Sequence, residues 1–323
     1  MSAIMKTSCF VLLFFILVVT PLYAKTSPAV QQLLDTALQQ EAAFQHGSKQ
    51  YQAELAFTAQ LSVPTSGHLT LKWGSTDHWW ARANLSGYEQ ITIRNGEWEY
   101  TERNLAYTPI RIRDLFGVLG LEVNPVRLNA RKEKFLRENG EEILCVKGSP
   151  EHFESELHNV CVDAMTHELV SDEWRGGRNE HWEKVFSDFL VFEGQNYPQK
   201  FNLLEHGKKV ISADLENIKA APFDPALLTP PADAIARRKC AGMKQPQPLN
   251  AIPTEPGGVG DAGQMTAVVT ILTDGSVGDV QLVGKNGQAQ KNNTVLEQIK
   301  GFRFRPAMCG DTPVVADIVV AMP

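Results

Sequence analysis

From Tyr51 to Val63 every odd position is apolar: Tyr, Ala, Leu, Phe, Ala, Leu and Val. The even positions hold Gln, Glu, Ala, Thr, Gln and Ser. A period of two over such a length predicts a long strand with one buried face. Past a turn expected at Pro64–Gly67, Leu69, Leu71 and Trp73 continue the pattern, and Trp79, Ala81, Ala83 and Leu85 repeat it. Ile91 and Ile93 follow, then Trp98 and Tyr100 beyond an Asn95-Gly96 pair that favours a two-residue hairpin turn. Strands that succeed one another through short turns pair antiparallel. More strands are expected around Ile143, Cys161 and Leu169, at 189–192 and at 201–204.

Helices are few. Val30, Leu33, Leu34, Ala37 and Leu38 recur at helical spacing, with Ser27 as a cap, Pro28 at the first helical position and Gly47 to end the helix. A short helix is expected over 112–119. The fold class is therefore α+β: a large curved antiparallel sheet, half-barrel-like, with a few helices. Helices lying in the concavity, or a lipid, must cover its apolar face. The candidate lipid-facing residues are Leu55, Phe57, Leu61, Leu69, Leu71 and Trp73.

The chain divides into unlike segments. Lys6, the apolar run Phe10–Val19 and the ending Leu22-Tyr23-Ala24 predict a signal peptide over residues 1–24. Phe10–Tyr23 is 14 residues, short of the roughly 20 that span a bilayer. The mature chain is expected to be periplasmic or secreted, with no transmembrane span. Residues 222–258 hold eight of the 18 prolines, a density that resists helix and central strand alike, and are expected to connect a lobe at 25–221 to one at 259–323. From Lys239 onward seven Lys and Arg balance seven Asp and Glu, whereas the preceding lobe has 23 basic and 30 acidic residues. A net charge of −6 argues against a nucleic-acid face.

Export makes the cysteines informative. Removal of Cys9 with the signal leaves Cys145, Cys161, Cys240 and Cys309, which allow three pairings. Cys145 and Cys161 lie on neighbouring candidate strands, so a local bridge is expected there, leaving Cys240 for Cys309.

The middle lobe, with its leading helix, long alternating strand and the run GHLTLKWGSTDHWWARANLSGYEQITIRNGEWEY, resembles the LolA/LolB-like half-barrel of periplasmic lipoprotein carriers. In that family the concave sheet accepts acyl chains, which implies a lipid or lipoprotein carrier. The last lobe reads MTAVVTILTDGSVGDVQLV, then TVLEQIKGFRFRPA, then CGDTPVVADIVV. This order of strand, Asp-Gly turn, strand, helix and strand resembles the C-terminal domain of TonB-type proteins, and predicts a small ββαβ unit. Phe302 and Phe304 face its core, Arg303 and Arg305 face solvent, and Pro306 ends the strand. The resemblance implies an envelope protein partner bound by strand addition, with Val314, Val315, Ala316, Asp317, Ile318, Val319 and Val320 as the edge strand. The long periplasmic spacer and the Tyr-Pro before the first strand, both usual in that family, are absent, which puts energy coupling in doubt.

No enzyme, cofactor or metal is expected. Gly258-Val259-Gly260-Asp261-Ala262-Gly263 matches G-x-G-x-x-G but lacks the strand before and helix after that a dinucleotide site needs. His167-Glu168 lacks the second histidine of a zinc motif, and His152 and His158 have no metal-ligand spacing. Trp79-Trp80 puts one ring on each sheet face. The expected function is an exported, non-catalytic envelope protein whose last lobe binds a protein partner. The alternative is a periplasmic lipid or lipoprotein carrier.

Overall fold

A computed structural model of the chain describes residues 28–41, 44, 49–61, 63–105, 108–121, 128–138, 141–150, 157–175, 181–240, 242–249, 265–283, 289–290 and 292–322. The expected signal peptide, Ser27, Gly47, His152 and the glycine-rich run 258–263 lie outside these residues.

Helix α1 (Pro28–Glu41) buries Val30, Leu34 and Ala37. A first meander follows: β1 (Tyr51–Gln60), β2 (Pro64–Ser75), β3 (His78–Leu85), β4 (Tyr88–Asn95) and β5 (Trp98–Arg103). Helix α2 (Ile110–Val118) leads to a second: β6 (Leu128–Glu138), β7 (Glu141–Pro150), β8 (Leu157–Asp163), β9 (Leu169–Arg175), β10 (His181–Phe192), β11 (Gln195–Glu205) and β12 (Lys208–Ala220). β12 returns to pair with β1, from Tyr51 opposite Ala220 to Ala59 opposite Ile211. That pairing fuses the two meanders. The connector adds β13 (Ile235–Arg238) beside β5, so the described residues form one antiparallel sheet of 13 strands running from β13 to β6. It is open, with two free edges.

The odd residues of β1 from Tyr51 to Ala59 are buried, as its alternation requires. The expected turn at Pro64–Gly67 is strand instead. The chain reverses one step earlier, Gln60 pairs with Pro64, and Pro64 takes the first strand position, where its missing N–H costs least. Gly67 sits opposite Phe57. A Cβ there would lie 2.4 Å from the Phe57 ring and 2.3 Å from the Asn84 carbonyl oxygen, so the ring needs a glycine beneath it.

The pattern changes face at β4. A two-residue turn sets Leu85 opposite Tyr88, Ala83 opposite Gln90 and Ala81 opposite Thr92. The inner face of β4 is therefore Tyr88, Gln90 and Thr92. Ile91, Ile93, Trp98 and Tyr100 point outward, and the 3-10 turn Pro225–Leu228 packs against β3 and β4.

α1 lies across β6, β8, β9 and β11, and α2 across β1, β11 and β12. Two glutamines fix α1 to the sheet as strand residues would. The Gln31 side chain donates to the Leu128 carbonyl and accepts from the Ala130 amide, both at 2.9 Å. The Gln40 side chain donates to the His167 carbonyl (2.9 Å) and accepts from the Leu169 amide (2.7 Å).

The C-terminal part contains β14 (Gln247–Pro248), β15 (Met265–Ile271), β16 (Val277–Val283), β17 (Ala289–Gln290), α3 (Asn293–Lys300), β18 (Phe304–Arg305), β19 (Ala307–Cys309), β20 (Thr312–Val314) and β21 (Ala316–Met322). Its main sheet has the order β17-β16-β15-β21. Val269, Ile271, Leu282, Ile299 and Phe304 form the core, while Arg303 and Arg305 are exposed. Asn292 caps α3 by accepting from the Val295 amide at 3.2 Å. Gly275 has φ +80°, and a Cβ there would lie 1.9 Å from the Phe304 carbonyl oxygen; both facts demand glycine. The last strand begins at Ala316 rather than Val314, because Thr312–Val314 folds back on Ala307–Cys309. Cys145 is bonded to Cys161 across β7 and β8, and Cys240 to Cys309. Among the described residues no helix is long and apolar enough to cross a membrane.

Candidate functional site

Two regions of the inner face stand out, and they differ in chemistry. The first spans β1, β2, β11 and β12. Leu55, Phe57, Leu69, Leu71 and Trp73 are buried there, with Leu61 half-buried at the rim. An aromatic cluster fills the adjoining space. Tyr51 stacks on Trp73 at 6.0 Å and meets Tyr197 and Phe192 edge-on, and Phe44 packs on Tyr197 and Phe201. The Tyr51 hydroxyl donates to the Phe44 carbonyl at 2.7 Å. All six candidate lipid-facing side chains thus share one face, which the protein's own side chains and helices occupy.

Charged groups border this region. On α2, Arg111 bonds Asp114 at 2.8 Å and Glu205 at 2.9 Å. Burial pushes the Asp114 carboxyl up to about 6, against the pull of Arg111. Toward the end of α1, Glu41 pairs with Lys184, which lies 5.3 Å from the Trp174 ring centre. Burial raises the Glu41 carboxyl. For Lys184 burial acts downward, but Glu41 and Asp172 outweigh it and hold the ammonium above its ordinary value. His158 meets Asp172 at 2.9 Å within a stack of His158, Trp174 and Trp182. None of these partnerships is a sequence motif.

The second region is a cavity of about 620 Å³ where β3, β4, β5 and β13 meet the C-terminal part. Five cationic side chains line it: Arg94, Arg103, Arg113, Arg237 and Lys239. Three acids join them, Asp77, Glu99 and Asp317. Trp79 contributes an apolar wall, while Trp80 faces outward beneath Lys72, 5.5 Å from its ring centre.

Asp317, on β21, bridges the two parts of the molecule. It accepts from Arg237 of β13 at 2.8 Å, from Arg113 of α2 at 3.3 Å and from the Thr270 hydroxyl at 2.7 Å. Burial acts to raise its carboxyl, yet the two arginines outweigh burial and hold it below the ordinary range. Arg103 donates to the Thr108 hydroxyl at 3.1 Å. Burial, with Arg113 and Arg237 nearby, lowers its guanidinium below the ordinary value. Lys239 lies 3.4 Å from Glu99.

The candidate partner-binding strand is split by the structure. Val314 belongs to β20 and Val315 to the break after it, while Ala316 to Val320 lie in β21, at the edge of the four-stranded sheet. Val315, Ala316 and Asp317 turn toward the cavity. Among the described residues no group of His, Cys, Asp and Glu is placed to hold a metal ion.

No family model matches the chain, and no curated protein matches it. Solved structures do match. The chain is similar to a LolA superfamily protein from Nitrosomonas europaea at 10% identity, with 62% of this chain and 96% of that one covered and a TM-score of 0.42. An outer membrane lipoprotein-sorting protein domain from Vibrio parahaemolyticus matches at 9% identity over 62% and 95%, with a TM-score of 0.43. MucB of Pseudomonas aeruginosa, in its complex with MucA, matches at 9% identity over 91% and 93%, with a TM-score of 0.29.

Proposed function

We propose that this chain is an exported, non-catalytic binding protein of the cell envelope whose large sheet carries an acyl chain of a lipid or lipoprotein. The observation that carries this reading is the apolar inner face shared by β1, β2, β11 and β12 of an open sheet, bordered by a helix with a slight hold on it. α1 buries only three side chains fully. Its polar anchors are the hydrogen bonds of Gln31 and Gln40, which water can replace at little net cost, and the Glu41–Lys184 pair at its end. Lifting α1 uncovers the inner face of β6, β8, β9 and β11, beside the apolar patch that α2 adjoins at β1, β11 and β12. Organic extraction and mass spectrometry of residues 25–323, purified from its own envelope, is expected to release a lipid at near-stoichiometric yield. A dry protein that also fails to take up a fluorescent fatty acid overturns the reading.

A second reading rests on β21. As the edge of its sheet among the described residues, it is placed to offer main-chain groups to an extended peptide of an envelope partner. Hydrogen exchange on the complex with a captured partner is expected to protect the amides of Ile318–Ala321. Unchanged exchange in those amides removes it.

A further inference from the structure

We propose that the cavity between the large sheet and the C-terminal part is a binding site for a phosphate monoester, gripped by Arg103, Arg113 and Arg237. This stands on the cavity alone and does not need the lipid reading.

Charge comes first. In a chain of net charge −6, the cavity lining carries five cations against three acids. The surplus of two positive charges matches the charge of a phosphate monoester, about −1.5 to −2 near neutral pH. Crowded guanidinium groups in a half-buried hollow repel one another, and a dianion relieves that repulsion. Hydrogen-bonding capacity points the same way. Arg113 and Arg237 both spend terminal N–H groups on Asp317, and each guanidinium carries five donors, more than that shared carboxylate accepts. Native proteins seldom leave such donors unspent, and arginine forks suit an anion with several oxygens. Asp317 and Thr270 orient the forks without neutralising them all.

Size narrows the ligand. About 620 Å³ falls within the roughly 300–1,000 Å³ of small-molecule sites, which is far more than a bare phosphate fills. The site therefore takes a phosphate with an organic body attached. A lipid headgroup and a free phosphoester both offer that chemistry. The walls come from both parts of the molecule, Arg103 and Arg237 from the large sheet and Asp317 from β21, so an occupant also clasps the two together.

The test is calorimetric titration of residues 25–323, both disulfides intact, with inorganic phosphate, glycerol 3-phosphate and dihexanoyl phosphatidic acid. Both monoesters are expected to bind more tightly than inorganic phosphate. A phosphatidic acid at least tenfold tighter than glycerol 3-phosphate identifies a headgroup site, and equal affinities identify a free phosphoester site. Arg103→Gln and Arg113→Gln are each expected to weaken binding at least tenfold, whereas Arg82→Gln, paired with Glu89 away from the cavity, leaves it unchanged. Arg113→Gln also loses a contact to Asp317, so Arg103→Gln decides the matter. It is expected to lose the ligand-induced rise in melting temperature that the parent shows. No binding of any of the three probes, or parent-like affinity in a folded Arg103→Gln variant, overturns the proposal.

Discussion

Across β1 and β2 the inner face of the large sheet presents Leu55, Phe57, Leu69, Leu71 and Trp73, and the space above it is full. Across β4, β5 and β13 the same face presents Thr92, Arg94, Glu99, Thr101, Arg103 and Arg237, and the space above it is hollow. The strands are continuous and the alternation never stops. What changes is parity. The turn after Leu85 keeps odd residues inside on one strand and even residues inside on the next, so the isoleucines of β4 go outward and its polar residues inward. One carboxylate in each half records the difference. Asp114, in the filled half, is pushed up to about 6 because burial, helped by Glu205, defeats Arg111 and Arg113. Asp317, in the hollow half, is held down because two arginines defeat burial. A filled face stores stability, whereas a polar hollow stores unspent interactions, which is the usual separation between scaffold and site.

The contrast predicts where the protein can be damaged. The largest effect is expected from opening the Cys240–Cys309 bridge, which anchors the wall of the hollow half. Its 69-residue separation corresponds to roughly 4 kcal/mol of loop entropy, against about 3 kcal/mol for the 16-residue Cys145–Cys161 closure. Urea midpoints of the two double-serine variants measure this, and an equal or reversed order breaks the ranking. Next, Leu71→Ala is expected to cost about 3 kcal/mol, because its cavity lies in a packed region, while Thr101→Ala in the hollow costs well under 1 kcal/mol. Equal losses at the two positions contradict the distinction between filled and hollow. Third, Asp317→Asn is expected to cost about 2 kcal/mol, between the values for exposed and fully buried ion pairs. It also removes the shared carboxylate from Arg113 and Arg237. That loss should fade below about pH 4: a carboxyl with a depressed folded pKa stabilises above its unfolded value and stops doing so as pH falls through the folded one.

How much of this the sequence disclosed varies strand by strand. β1, β3 and β2 from Gly67 to Trp73 are legible because each buries one face throughout that length; the start of β2, which buries no residue before Gly67, is not. β12 is not, although it is central. Its pairing slips twice, between Leu55 and Glu54 on one side and between Leu203 and Leu204 on the other, and each bulge shifts the period by one residue. Val210, Ile211, Ala213 and Leu215 are all buried, so no clean alternation survives. β6, with Arg131, Lys132, Glu133 and Lys134, reads as a solvated run; those charges are the protection an edge strand needs. The connector is legible as proline-rich but not as the donor of β13. The cavity leaves no local trace. Residues 94, 103 and 237 converge through β-sheet parity and the pairing of β13 with β5, Arg113 comes from α2 and Asp317 from β21, and none of this is a short-range property. Parity is in principle readable: the two residues between Leu85 and Tyr88 set it, once that turn is known to be two residues long.

The smallest expected effect is also the most direct comparison of the two halves. For Asp114 the folded carboxyl titrates at about 6, above an unfolded value near 3.9. Between those values the folded chain binds more protons than the unfolded one, so stability must rise as pH falls, the reverse of the Asp317 case. With a tenfold change in proton activity worth about 1.4 kcal/mol, lowering the pH from 7 to 5 should recover about 1 kcal/mol from this one group. Asn at position 114 cannot ionise, so the Asp114→Asn variant should lose that slope and approach the low-pH stability of the parent already at pH 7. Asp317→Asn should leave the slope between pH 5 and 7 untouched, because its carboxyl stays ionised throughout. Urea midpoints for parent and both variants at pH 5, 6 and 7 decide this. If Asp317→Asn flattens the slope instead, Arg113 and Arg237 do not hold the Asp317 carboxyl below its ordinary range.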